Sequence, residues 1–512
     1  MALSVDKTDW ALELNAARDQ TDLWIKGLDD EVQRYAPALY DDWWQDLGYD
    51  GGDDQRIDPE NHAFELTALL LPELAYSNPR VRITSPRADQ QSQLKAKGLT
   101  AATNRWIRDT DMRNLIERLA LDYMFRCSVA LVTRAEYPYV HPDSTADDFG
   151  DPPMWPDVKH IETEDFIWDP KAKTAASRRY QGHRVVRDRE DILAQAESNP
   201  EEEWDEQAIR ALGAANDTAQ ESERRSRGTR LQAATLNRDE VEYYEVHVPE
   251  IELEDHPDYD ENLTHGSWLT IALGASGSTS DTGERGPSAY FLREPYPARN
   301  PLSGPYVWTG AYVVPGEASQ LSPIASTKQQ AVALNRVTRA IDRDVEDYKN
   351  GLVGPDEVKE LSEQILNSEH HEVFTCGLSA EQIKNALVPF EVGGATEQGL
   401  AAVEMHRDRL ARASGIDAAM RGQVTGEGTA TENAIANDRA TARFAKVAQT
   451  FKQGVVQILR GVAWHLDAEQ GLVIEFGEDS RVPVPEGHRA EYVGGLGEGE
   501  PALDQEPFDF DI

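Results

Sequence analysis

Residues 321–351 read LSPIASTKQQAVALNRVTRAIDRDVEDYKNG. Within them Leu334, Val337, Ile341, Val345 and Tyr348 recur at three- and four-residue steps, the spacing of one helical face. Ser322 is placed to cap the start, Pro323 suits a first turn that needs no amide hydrogen, and Gly351 offers a stop. The spacing predicts one continuous helix over the whole stretch, about 45 Å long. Opposite the apolar stripe stand Lys328, Gln329, Gln330, Asn335, Arg336, Arg339, Asp342, Arg343 and Asp344. A solvated face with salt bridges between turns is the plain reading of such a mixture.

The neighbouring sequence adds to it. YVWTGAYVVPG, residues 306–316, leads into the helix, and a compact mixed segment followed by a second helix leads out. The run PYVWTGAYVVPGEASQLSPIASTKQQAVALNRVTRAIDRD, residues 305–344, resembles the corresponding part of tailed-bacteriophage portal proteins. In that family a short strand and a turn precede a Ser-Pro-Ile start and a helix bearing Gln and Asn. The resemblance extends in order over most of residues 60–466 and departs at a charged excursion, a hairpin insert and the acidic tail.

The chain has 512 residues, enough for two to four domains with substantial cores. Its 51 basic and 92 acidic residues give a formal net charge of −41, which argues against a protein that clamps free DNA by neutralising phosphates. Such acidity fits a solvated particle, a surface that repels polyanions, or an acidic host proteome. Cys127 and Cys376 are the only cysteines, so no disulfide framework or cysteine-rich zinc site is expected, and a reducing cytoplasm suits the chain. MALSVDKTDWALELNAARDQ lacks a basic start followed by an apolar core, and no window approaches 18 apolar residues; neither a signal peptide nor a membrane span is expected.

Along the N-terminal part, residues 4–46 read as helix ending near Trp43 and Trp44, and residues 61–76 as a helix interrupted near Pro72. A strand at 80–84, two helices within 91–125 and a strand at 128–133 follow. In WPDVKHIETEDFIWDP, residues 155–170, Asp165 and Asp169 could suggest a metal or acid–base pair, but Asp before Pro favours a turn. Residues 196–236 carry acidic Glu201–Glu203 and basic Arg224–Arg227 blocks, the pattern of a solvated excursion or a partly disordered loop. Strands return at 240–248, 267–273 and 289–292, with SGSTSDTGERG as a flexible hairpin tip. These residues are expected to form one α+β body.

After the central helix, residues 352–395 suggest helix 356–366, strand 372–375, helix 379–386 and strand 388–392. A helix over 397–414 bears Leu400, Val403 and Leu410, and GIDAAMRGQVTGEGTAT, residues 415–431, is a glycine-rich loop. A long helix over 432–466 follows with the stripe Phe444, Val447, Phe451, Val455, Ile458 and Val462. Between Arg439 and His465 it holds five Lys or Arg and no Asp or Glu, whereas the tail from Asp467 is acidic and is expected to be disordered or to dock on a partner.

No motif here carries catalysis. GQVTGEGTAT lacks the Gly-Lys-Ser/Thr ending through which a P-loop reaches β- and γ-phosphates. His370, His371 and Glu372 beside Cys376 lack HExxH spacing, and a strand would point the two histidines apart. No G-x-S-x-G elbow occurs. No enzyme activity, cofactor or metal is expected.

The resemblance to portal proteins implies an α+β wing over 1–316, a first stem helix over 317–351 and a small α/β clip over 352–395. A second stem helix over 396–414, a tunnel loop over 415–431, and a long helix at 432–466 leading to a crown and acidic tail over 467–512 complete it. It implies a dodecameric ring at one capsid vertex, assembled in the host cytoplasm and carried in the virion. Double-stranded DNA would pass through its channel without sequence specificity, and terminase large subunit, capsid, scaffold and head-completion or tail adaptor proteins would dock on it. The stem would carry Lys328, Arg336, Arg339, Asp342, Arg343, Asp344, Glu346 and Asp347, with some carboxylates facing the channel. The tunnel loop would bring Arg421, Gln423, Val424, Thr425, Glu427 and Thr429 near DNA. Another structural ring or scaffold of the virion, or a DNA-processing enzyme, are the alternatives.

Overall fold

Apolar runs, several of them buried on both faces, set the strands, and three-four spacing sets the helices, of a mixed helix-and-sheet protein. The computed structural model describes residues 3–5, 8–26, 60–75, 79–87, 90–136, 154–210, 212, 240–273, 289–346, 348–353, 388–392, 396–414, 430–469, 473–475, 491–493 and 508–511. In chain order the first elements are α1 (Trp10–Lys26), α2 (His62–Ala75), β1 (Arg82–Thr84), α3 (Gln90–Asp109), α4 (Met112–Phe125), β2 (Ser128–Glu136), β3 (Met154–Ile161), β4 (Phe166–Trp168), β5 (Gln181–Asp188) and α5 (Arg189–Ser198). Strands β6 (Glu240–Val248), β7 (Thr264–Leu273), β8 (Ala289–Phe291), β9 (Tyr296–Arg299), β10 (Tyr306–Thr309), β11 (Tyr312–Val313) and β12 (Gln320–Leu321) follow. The rest are α6 (Lys328–Glu346), β13 (Lys349–Val353), β14 (Val388–Val392), α7 (Glu397–Ser414), α8 (Ala430–Ala468), β15 (Val473–Glu475), β16 (Glu491–Val493) and β17 (Asp509–Asp511).

Two compact units result, one from residues 1–49, 63–326 and 427–512 and the other from 50–62 and 327–426. In the first, β4-β5-β6-β7-β8 form an antiparallel sheet with β9 also on β7, and β10-β2-β3 form a second antiparallel sheet. β7 is buried along nearly its whole length. Leu269 and Ile271 join Trp10 and Leu14 of α1 in one core cluster, while Trp268 joins Trp168, Tyr306 and Trp308 in another. Trp168 and Trp308 lie 4.8 Å apart between ring centroids, and Trp24 of α1 closes edge-on against Trp168 at 5.6 Å. Burying aromatics of this size supplies much of what holds a sheet in place.

The largest core cluster is helical. Leu99, Trp106 and Ile107 of α3 and Ile116, Leu119 and Tyr123 of α4 meet Val447, Phe451, Val455, Ile458 and Val462 of α8. Gly454 is needed there, because a Cβ at this position would run into the Thr309 side chain of β10.

Several expectations change. The body is not confined to the N-terminal three-fifths, since α8 and the last strand complete it. The end of the acidic tail forms β17, paired antiparallel with β1 over Arg82–Asp511, Ile83–Phe510 and Thr84–Asp509. The first helix starts only at Trp10, and α2 continues through Pro72 rather than breaking there. In the charged excursion Ile209 and Leu212 are buried with Ile192, Tyr243 and Leu292, so its start is packed, not solvated. Residues 213–239, the hairpin tip, Trp43, Trp44, the helices expected over 356–366 and 379–386, the strand 372–375, His370, His371, Glu372 and Cys376 lie outside the described residues.

The central helix also begins later than the spacing predicts. Leu321 pairs with Tyr312 in a β ladder, and the Ser322 hydroxyl donates to the Phe125 carbonyl at 2.8 Å while accepting the Ala325 amide at 3.1 Å. The Ile324 amide donates to the Met124 carbonyl at 3.2 Å. Those bonds commit the main chain elsewhere, so Ser322 caps a 3-10 turn at Ala325–Thr327 and the α-helix starts at Lys328. At its other end Gly351 does not stop the helix; it sits within β13 opposite Phe390. The helix has 19 residues and spans about 28 Å. Among the described residues no helix is long and apolar enough to cross a membrane.

Candidate functional site

The second unit is built on α6 and α7. Ala331, Leu334, Val403 and Leu410 are buried between them, with Val337 and Ile341 packed alongside. Gly399 lets α7 approach closely, because a Cβ there would already touch the Ile341 side chain at 3.3 Å. Leu400, expected on the apolar side, is instead 52% exposed. β13 and β14 pair antiparallel over five residues between the two helices in sequence.

A polar clasp fixes one side of α6. Asn335 is buried; its Oδ1 accepts the Glu60 amide at 3.1 Å and its Nδ2 donates to the Glu60 carbonyl at 3.2 Å. Two Arg407 nitrogens of α7 reach Glu60 Oε1 at 2.7 and 2.9 Å, and this hydrogen bonding raises the Arg407 pKa above its ordinary value. Asn335 therefore leaves the solvated face where the spacing put it, because the Glu60 main chain needs both of its amide groups.

The remaining polar residues of α6 divide by position. Arg336, Asp342, Arg343 and Asp344 are exposed, and Lys328 and Arg339 are half-buried. Arg336, Arg339 and Arg343 follow one another at three and four residues and so share a face opposite Leu334 and Ile341, with Asp342 and Asp344 at its flanks. The middle of the exposed face is thus basic, although the sequence-based expectation stressed its carboxylates. Reading the angular position of each charge, rather than its sign alone, carries that signal in the sequence. On α7 the exposed residues include Glu397, Glu404, Met405, Arg407, Asp408, Arg409 and Arg412, with Arg407 paired to Glu404 and Arg412 to Asp408 about one turn away. Glu346 closes α6; Asp347 and the residues expected near DNA, Arg421, Gln423, Val424, Thr425, Glu427 and Thr429, lie outside the described residues.

Two carboxylates of the first unit have structural partners. Asp165 meets Arg184 at 2.6 Å and Asp169 meets Arg179 at 2.8 Å. Burial opposes ionisation of Asp169, but hydrogen bonds from Arg179 and from the Lys171 amide outweigh it and hold the carboxyl below the ordinary range. Asp169 Oδ1 accepts that amide at 3.0 Å, the bond of an Asx turn, as expected of Asp before Pro. A small cavity lined by Arg18, Asp22, Asp165, Arg184, Glu242 and Tyr244 has room for about one water molecule. Among the described residues no group of three or more His, Cys, Asp or Glu is arranged to hold a metal ion.

No protein-family model matches the chain, and no curated protein matches it. The functional reading therefore stands on residue patterns and on the geometry of α6 and α7.

Proposed function

We propose that the chain is the subunit of a portal ring, the channel through which phage DNA enters and leaves a capsid. What supports this most is the order along the chain: a helix, an antiparallel strand pair, a packed return helix and a glycine-rich stretch of sequence, followed by the long helix α8. A closed ring joins unlike faces of successive subunits. The exposed sides of α6 and α7 differ: that of α6 has arginines along its centre, whereas that of α7 mixes Glu404 and Asp408 with Arg407, Arg409 and Arg412 around the exposed Leu400 and Met405.

In this reading the protein guides DNA and does not cut it or hydrolyse nucleotide. A net charge of −41 disfavours the extensive counterion release that would lock DNA in place, and a few exposed arginines such as Arg336 and Arg343 allow brief phosphate contacts. Terminase large subunit, capsid, scaffold and head-completion or tail adaptor proteins are its proposed partners, and the virion its location.

Electron microscopy of the purified protein tests the proposal. Class averages with about twelvefold symmetry and a central hole are expected. A compact closed dimer without a channel, or metal-dependent DNA cleavage by the pure protein, would overturn it in favour of an enzyme.

A further inference from the structure

The end of the chain behaves as a bound peptide. Phe508 is buried in the helical core cluster, Phe510 packs against the same cluster, and Asp509 and Asp511 point to solvent. Arg460 of α8 stacks on the Phe510 ring at 5.1 Å, and Arg82 of β1 stands opposite Asp511 in the ladder. Main-chain pairing to a strand, alternate side chains in an apolar cleft and charge complementarity at the rim are the components of recognition by strand addition.

The attachment is small and its tether is long. Only three residue pairs join β17 to β1. The fourteen residues 494–507 that separate β16 from Phe508 reach roughly 45–50 Å when extended. The strand in one copy is chemically identical to that in the next, so a neighbour's strand makes the same contacts, and proximity alone decides which is bound.

We propose that β1 and the cleft beside it form an acceptor site for an acidic, aromatic strand, and that in assembled protein this site takes Phe508–Asp511 from a second copy of the chain. The exchange staples neighbouring subunits together. It requires only that copies associate, and not that they form a twelvefold ring.

The test uses full-length protein with Cys376→Ser and two directly opposed positions. One tagged chain carries Thr84→Cys and a differently tagged chain carries Asp509→Cys; the two are co-expressed, assembled and oxidised. A disulfide-linked species of twice the chain mass bearing both tags is the expected result. In parallel, the double variant Thr84→Cys/Asp509→Cys should give a ladder of covalent oligomers on non-reducing gels. Assembled protein in which the double variant closes only within single chains would overturn the exchange while leaving the ring reading intact. Absence of any disulfide would overturn the pairing itself, and a protein that stays monomeric by light scattering would overturn both this proposal and the ring.

Discussion

The Tyr123 hydroxyl of α4 donates a hydrogen bond to the Val447 carbonyl of α8 at 2.8 Å, across 324 positions of sequence. Their rings and stripes form the centre of the helical core, with Tyr123 and Phe451 5.2 Å apart between centroids. The phenol is buried, and burial above all raises its pKa far beyond the usual tyrosine range. Tyr123→Phe keeps the packing and removes one buried hydrogen bond, so a loss of about 1 kcal/mol is expected in urea unfolding. Tyr123→Ala should lose about 3–5 kcal/mol, because it also opens a cavity.

Gly454→Ala is expected to destabilise despite the better helix propensity of alanine, which on its own would favour the variant by about 1 kcal/mol. The added methyl meets the Thr309 side chain and forces α8 away from β10. Overpacking of this kind costs about 1–3 kcal/mol. Pairing it with Thr309→Gly should recover part of the loss, and a double variant no better than the single would separate the effect from this contact.

The clasp on Glu60 gives two unequal predictions. Asn335→Ala leaves the amide and carbonyl of Glu60 without their side-chain partner in a partly buried setting and should cost about 1–2 kcal/mol. Arg407 is 45% exposed, so Arg407→Ala should cost no more than about 1 kcal/mol, and less at high salt. Thermal melts at low and high salt measure both; equal costs would contradict the division.

Acid should weaken the first unit through two buried histidines. Burial lowers the His247 pKa to about 4, and burial followed by the Arg134 charge lowers that of His465 to about 3. Both stay neutral in the folded chain while the unfolded chain binds protons near pH ~6.5, so the unfolded state holds more protons below that value. Stability is therefore expected to be complete above pH ~6.5 and to fall with pH down to the folded values. His465→Gln should remove part of the difference in unfolding free energy between about pH 7.5 and about pH 5. An unchanged difference would assign the acid sensitivity to other groups.

Arg336→Ala with Arg343→Ala tests the basic face of α6 as a DNA-facing surface. Both side chains are exposed, so folding should change by less than about 0.5 kcal/mol. Weak DNA binding by the assembled protein should fall, with a shallower dependence on salt for each phosphate contact removed. An identical salt slope would remove these arginines from the DNA path.

Local patterning determined much of this protein. The three-four spacing marks α7 at Glu397–Ser414 to the residue and the buried stripe of α8, and Asp before Pro marks the turn at Asp169. These features depend on neighbours a few positions away, which a linear reading contains. The start of α6 does not: the ladder of Leu321 with Tyr312 and the bonds from Ser322 and Ile324 to α4 hold residues 321–324 out of the helix. The same holds for Asn335, whose amide is claimed by Glu60, and for the pairing of β17 with β1. In each case a main-chain or side-chain hydrogen-bonding group finds its partner far away in sequence, and that choice is made by tertiary packing.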